Sequence, residues 1–239
     1  MLLTQKEVIV IEETVVITGA GSGLGASLAK KYSALGKHVC LLGRTKEKLV
    51  RTATELESSH SIYEVDVTSI PSVRVIMDII RKERGSIDYL INNAGVGIFK
   101  YLEELHEKEI DEMIDTNLKG TIYCTREVIS GMKEKNKGYI VNIVSASGKI
   151  AKETESVYSA SKFGVQGFSG AIAQELKNSK VQIFSVYMGN MKTNLWENNH
   201  PEAQLNNYMD PDDVAEIIIE NLKPRRHLSV TDVTILNHF

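Results

Sequence analysis

Short β-branched apolar runs and longer amphipathic stretches alternate along this chain, and that alternation predicts its elements. The runs TVVIT (Thr14–Thr18), HVCLL (His38–Leu42), SIYEV (Ser61–Val65), IDYLIN (Ile87–Asn92), YIVNIV (Tyr139–Val144), VQIFSVY (Val181–Tyr187) and DVTIL (Asp232–Leu236) read as seven strands. Between them, helical patterns run over Leu24–Leu35, Lys46–Leu56, Val73–Glu83, Ile110–Met132, Val157–Lys177 and Pro211–Leu222, the fourth with an alternative start near Glu103. Strands that read as continuous apolar runs, rather than strict alternation, are buried on both faces. Seven of them separated by helices predict an α/β fold: a doubly wound parallel sheet with helices on both faces. Proline is scarce and no Ser/Gly-rich or single-charge stretch divides the chain, so one domain over residues 1–239 is expected.

One stretch breaks the rhythm. Asn190–Asp210 is polar and Asn-rich, and it carries Trp196, the one tryptophan of the sequence. Coming after a late strand, it is expected at the carboxyl edge of the sheet, where open α/β sheets bind ligands. Loops of this length in compact domains usually have a role, and a lid over residues 190–210 is the expectation.

Composition narrows the class of function. With 42% hydrophobic and 25% charged residues, the chain is neither disordered nor a repeat protein. Its 28 basic and 31 acidic residues leave a formal charge of −3, which gives no electrostatic footprint for nucleic acid or an anionic membrane. A small-molecule ligand is expected instead. Cys40 and Cys124 are far apart and sit among apolar neighbours, which reads as buried free thiols rather than a disulfide or metal site. The first residues, MLLTQKEVIVIEE, lack a basic n-region, and no apolar run approaches the roughly 18 residues of a membrane span. A soluble, cytoplasmic setting is the resulting expectation.

The candidate chemistry begins at the first strand, which runs into Thr18-Gly19-Ala20-Gly21-Ser22-Gly23-Leu24-Gly25 and then a helix. Glycines let backbone N–H groups approach a pyrophosphate, and the following helix directs its positive end at the anion. Gly19, Ser22, Gly23, Leu24 and Gly25 are therefore the candidate phosphate cradle. Tyr158 and Lys162 lie four apart on one predicted helix and share a face. A phenol titrates near pH ~10, and an adjacent ammonium is expected to lower that value into a useful range.

T-G-x-x-x-G-x-G at this position resembles the short-chain dehydrogenase/reductase family, and further motifs extend the resemblance from Thr14 to about Leu236. Asn92-Asn93-Ala94-Gly95 matches the family's N-N-A-G after the fourth strand. Asn117 stands in MIDTNLKG (Met113–Gly120), and Tyr158-Ser159-Ala160-Ser161-Lys162 matches Y-x-x-x-K, with Ser145 lying 13 positions before Tyr158. The resemblance implies a Rossmann-type fold and hydride transfer between a nicotinamide cofactor and a carbonyl or secondary alcohol. It implies Tyr158 as general acid/base, Lys162 also holding the nicotinamide ribose, Ser145 bonding the substrate oxygen and Asn117 holding a water in the proton relay. Asp66 and Val67 match the family's D-V contact with adenine, and Asn93, Ala94 and Gly95 line the cofactor. Gly189 and Thr193 match the family's nicotinamide side, but Met188 stands where the family often has proline and so loses a fixed φ. The ending after Leu222 is short, similar to the small-hydroxy-acid or serine dehydrogenase branch.

An NAD enzyme of this fold usually places a carboxylate about 20 residues past the glycine loop. This chain has Gly43 and Arg44 there, and a guanidinium suits a 2′-phosphate, so NADP is the expected cofactor. Within this reading a 3-oxoacyl-thioester reductase is one alternative; a non-catalytic NADP-sensing protein on the same fold is another. Helices Ile110–Met132 and Val157–Lys177 carry apolar residues beyond one buried face, among them Phe163, Val165, Phe168 and Ile172. By resemblance they pair across a two-fold axis, giving a homodimer or homotetramer. The substrate pocket is expected from Val96, Ile98, Phe99, the loop Ser147–Glu155 and residues 190–210.

Overall fold

A computed structural model describes residues 12–193 and 207–238. The expected lid over 190–210, Trp196 included, lies outside the described residues except for its two ends.

Among the described residues the strands are β1 (Thr14–Thr18), β2 (His38–Gly43), β3 (His60–Glu64), β4 (Tyr89–Asn92), β5 (Gly138–Ile143), β6 (Val181–Met188) and β7 (Asp232–Ile235). They form one sheet in the order β3-β2-β1-β4-β5-β6-β7, every neighbouring pair parallel. The order reverses between β1 and β4, and such a switch point opens a crevice at the carboxyl ends of the strands. The helices are α1 (Gly23–Ala34), α2 (Lys46–Ala53), α3 (Ile70–Arg84), α4 (Glu107–Met113), α5 (Gly120–Lys135), α6 (Ser156–Glu175) and α7 (Pro211–Asn221).

Both sheet faces are covered, which is why the strands read as unbroken apolar runs. Successive side chains point to opposite faces. Val15 and Ile17 join Leu28, Tyr32 and Ile218 of α1 and α7 on one face, while Val16 joins Val73, Met77 and Val128 of α3 and α5 on the other. Cys40 and Cys124 are free and buried, and burial pushes both thiols up to about 12, as expected of inert core cysteines. Val165 packs in the core with Val144 and Tyr187, and Ile172 packs against the second core, so half of the apparent apolar surplus on α6 is ordinary core. Phe163 stays exposed.

The long helical pattern near residue 110 is three pieces: α4, a π turn over Ile114–Lys119, then α5. The extra residue in a π turn slips the helix register, and such turns concentrate at functional sites. Asn117 lies within it. Among the described residues no helix is long and apolar enough to cross a membrane.

Candidate active site

A cavity of about 580 Å³ opens at the carboxyl edge of the sheet, lined at one end by Gly19, Ser22, Gly23 and Leu24 and at the other by Ser145, Tyr158 and Lys162. The first end is backbone. Gly19 has φ +64°, and a Cβ there would sit 2.9 Å from the Ala94 Cα. A Cβ on Gly25 would come within 2.3 Å of the Gly19 carbonyl oxygen, so no side chain fits where α1 crosses the loop. Thr18 Oγ1 accepts from the N–H groups of Asn93 and Ala94 at 3.0 Å each, and Asn93 Nδ2 donates to the carbonyls of Thr18 and Gly19. The N-N-A-G segment thus pins the glycine loop. Ser22 caps α1 in extended conformation without a side-chain bond to its first turn, whereas Ser69 caps α3 by accepting from Ser72 N. The first-turn N–H groups of α1 are thereby left for an anion. The cradle, the open helix end and a cavity lined from Gly19 to Lys162 fit a dinucleotide.

Arg44 lines this cavity and also a smaller one of about 110 Å³ beside it, with Asp66, Val67, Ala94 and Gly95. Asp66 does what a turn residue does: its Oδ1 accepts from Thr68 N at 2.9 Å and from Thr68 Oγ1 at 2.8 Å. It lines the smaller cavity as well. Two residues here escaped sequence reasoning. Lys48, in the first turn of α2, adds a second basic side chain to the lining, and Glu112 on α4 lies 3.7 Å from the Arg44 guanidinium. Nothing in the local spacing of Lys48 or Glu112 signals the cavity; the fold brings both there.

At the other end, Ser145 follows β5 with φ +128°, a conformation costly for a residue with a Cβ. Its Oγ accepts from Ser147 N at 3.2 Å and hydrogen-bonds Tyr158. Tyr158, in the first turn of α6, packs edge-on against Phe99 with ring centroids 5.3 Å apart. The expected lowering of its phenol is corrected by the structure. Burial pushes Tyr158 up to about 12, the Ser145 hydrogen bond opposing and the Glu155 charge adding to the rise. Lys162 does share its face, but its Nζ lies 5.7 Å from the Tyr158 ring centroid and donates to the Ile143 carbonyl at 3.0 Å. Burial in turn pushes the Lys162 ammonium down to about 8. Helical spacing gives a common face, not a contact.

Asn117 joins this cluster through its neighbours: a Cβ on Gly95 would meet Asn117 Oδ1 at 3.2 Å and Lys162 Nζ at 3.6 Å. Its side chain is committed to Val96, accepting from the N–H at 2.8 Å and donating to the carbonyl at 2.9 Å, and it also donates to Ser161 Oγ at 3.0 Å. Val96, Ile98 and Phe99 line the cavity as expected, and from the 147–155 loop so do Ser147, Lys152 and Glu155. Glu155 is buried and accepts from Ser147 Oγ. Gly189 and Thr193 line the same wall; a Cβ on Gly23 would meet Thr193 Cγ2 at 2.9 Å, so the β6 turn and the glycine loop touch.

The short chain dehydrogenase family profile matches residues 13–204. An uncharacterized oxidoreductase of Staphylococcus aureus (strain N315) is 31% identical over 228 residues, covering 95% of this chain and 98% of its own. A metagenomic short-chain oxidoreductase solved in complex with NADP superposes with a TM-score of 0.84 at 26% identity, covering 96% of this chain and 99% of that one. The closed form of a serine dehydrogenase complexed with NADP+ superposes with a TM-score of 0.83 at 26% identity over 92% of this chain and 93% of that one.

Proposed function

Since the chain belongs to the short-chain dehydrogenase/reductase family and is therefore an oxidoreductase, we propose that it transfers hydride between NADP(H) and a carbonyl or secondary alcohol, with Tyr158 as general acid/base. One observation carries this reading: a single cavity has an uncapped glycine cradle at one end and the Ser145–Tyr158–Lys162 cluster at the other. When bound, the nicotinamide supplies or accepts the hydride and in its oxidised form carries a positive charge.

The chain's own residues handle the proton. In reduction, the Tyr158 hydroxyl donates to the developing alkoxide oxygen while Ser145 Oγ donates a hydrogen bond to that oxygen. Burial keeps the phenol protonated at neutral pH, which suits the acid role. Lys162 holds the ribose hydroxyls and, through its position between Tyr158 and Asn117, carries the proton toward solvent. Asn117 anchors Val96 in the pocket wall; with both amide donors engaged, the remaining lone pair of its Oδ1 accepts from the water that ends this relay. Gly189 and Thr193 hold the carboxamide side.

The preference for NADP over NAD is supported by the absent carboxylate at Gly43, by Arg44 and Lys48 in the lining, and by the NADP found in both solved relatives. The substrate is small and fits beside Phe99, Lys152 and Glu155. Assembly as a homodimer or homotetramer fits the exposed Phe163 on α6.

Cofactor oxidation at 340 nm tests the reading across ketones, 3-oxoacyl thioesters and small oxo acids, with NADPH and NADH in parallel. Turnover with NADPH on at least one class supports it. Tight NADPH binding with no turnover on any class would instead make the protein a cofactor sensor.

A further inference from the structure

The turn after β6 lacks the proline that would fix its backbone, yet a side chain from the far end of the chain holds it. Asn237, two residues past β7, accepts from Asn190 N at 2.9 Å through Oδ1 and donates to the Asn190 carbonyl at 3.0 Å through Nδ2. The same Nδ2 donates to the Asn207 carbonyl at 3.0 Å. Gly189 N donates to the Ile235 carbonyl at 2.9 Å, so β7 carries the turn on its backbone as well. The approach is close: a Cβ on Gly189 would lie 2.6 Å from Asn237 Oδ1. Around the same point, Met209 N donates to the Asn190 carbonyl at 3.0 Å and Lys192 N to the Met209 carbonyl at 2.9 Å.

We propose that Asn237 is a positioning residue that sets the Gly189–Thr193 wall of the cofactor cavity, doing by paired hydrogen bonds what a proline at Met188 would do by its ring. Proline fixes φ covalently. Asn237 engages both the N–H and the C=O of one residue, so Asn190 cannot rotate out without losing both bonds. Asn190, Met191 and Thr193 line the cavity, and Thr193 packs on the glycine loop at Gly23, so a rotation at Asn190 moves the wall that faces the cofactor. Among the described residues no other side chain makes this pair of bonds to Asn190. The carboxamide is required in full: one acceptor meets one N–H, and its donor meets two carbonyls.

This rests on the reading that the wall faces NADP(H), and the experiment separates the two. NADPH affinity by fluorescence titration, and KM and kcat with an active carbonyl, are measured for wild type, Asn237→Ala, Asn237→Asp, Met188→Pro and the Met188→Pro/Asn237→Ala pair. Loss of a hydrogen-bond pair of about 1 kcal/mol per bond predicts a rise of roughly 10- to 30-fold in Kd and KM for NADPH in Asn237→Ala, with kcat changed less. Asn237→Asp is nearly isosteric but sets an oxygen against the two carbonyls, so it falls below Ala. Met188→Pro restores affinity in the Asn237→Ala background. Equal affinities for all the Asn237 variants, or an Asp variant better than Ala, overturn the proposal even if the proline variants do not fold. A wild type that neither binds nor oxidises NADPH overturns the functional reading instead.

Discussion

At the β1–β4 end of the cavity the wall is main chain: Gly19, Gly23 and Gly25 touch Ala94, Thr193 and one another so closely that a single added Cβ collides. At the β5–β6 end the wall is side chains whose protons matter, with Tyr158 and Lys162 both buried and shifted in opposite directions by that burial. On the proposed function the first end recognises a group present in every turnover and needs fixed backbone donors, which glycine and a bare helix terminus provide. On the same reading the second end changes its charge during the reaction, and it carries groups that burial has moved off their ordinary values. Affinity is thus written in backbone and rate in side chains, and variants on the two sides should fail differently.

The sharpest break comes at Tyr158. Tyr158→Phe keeps the ring against Phe99 and removes only the hydroxyl, so the fold and NADPH affinity persist while turnover falls about 10²–10⁴-fold. Steady-state kinetics beside a cofactor titration checks it; loss of affinity in step with rate would erase the division between the two ends.

Next in size is cofactor choice on the backbone side. A hydrogen bond from Arg44 to a phosphate is worth roughly 1.5–3 kcal/mol, a factor of roughly 10–150. Arg44→Ser should lower kcat/KM for NADPH by that factor and leave NADH nearly unchanged. The half-exposed Arg44–Glu112 pair is a weak competitor for the guanidinium. An equal loss with both cofactors would remove Arg44 from phosphate recognition.

Gly25→Ala tests the cradle. Its Cβ would also meet Asn93 Nδ2 at 2.6 Å, so the loop must move, and overpacking of this kind costs about 1–3 kcal/mol. If the strain falls on the loop, NADPH affinity drops by a factor of roughly 5–150 while kcat at saturation holds. Gly131→Ala is the control, because a Cβ in that part of α5 meets nothing within 4 Å. Isothermal titration of both variants, with thermal melts, tells cofactor loss from unfolding.

What could be read from the sequence divides differently, into local signals and contacts made only by the fold. The strands, glycine loop, Asn93–Gly95, Tyr158 and Lys162 are local signals: periodicity, turn chemistry and a spacing of four. The π turn at Ile114–Lys119 stayed hidden because one slipped residue barely disturbs an amphipathic pattern. Lys48, Glu112 and Asn237 reach the cavity only through the fold, Asn237 from 47 positions beyond the residue it holds. Spacing supplies neither the burial that raises the Tyr158 phenol nor the Tyr158–Lys162 distance, so the shift runs opposite to the one expected. Val165 and Ile172 looked like an interface because a helix packed against two cores carries more than one apolar stripe.

The smallest effect probes the side-chain end through a residue that does no chemistry itself. Glu155 is buried and its charge adds to the burial that raises Tyr158, while the Ser145 hydrogen bond lowers it. Glu155→Gln removes the charge yet keeps a carbonyl oxygen to accept from Ser147 Oγ, so packing of the loop is preserved. With one raising influence gone, the phenol titrates at lower pH than in wild type. Reduction needs Tyr158 protonated, so its rate should begin to fall at a lower pH, the basic limb moving toward neutrality. Oxidation needs the phenolate, so its rising limb should move the same way and its rate at neutral pH should increase. Lys162, held down to about 8, titrates well below Tyr158, which burial holds at about 12, so the limb that moves is the phenol's. Full pH profiles of kcat/KM in both directions decide the matter. A shift in the same sense on both limbs assigns the effect to the Glu155 charge; profiles that coincide with wild type would mean that the carboxylate serves only to hold Ser147.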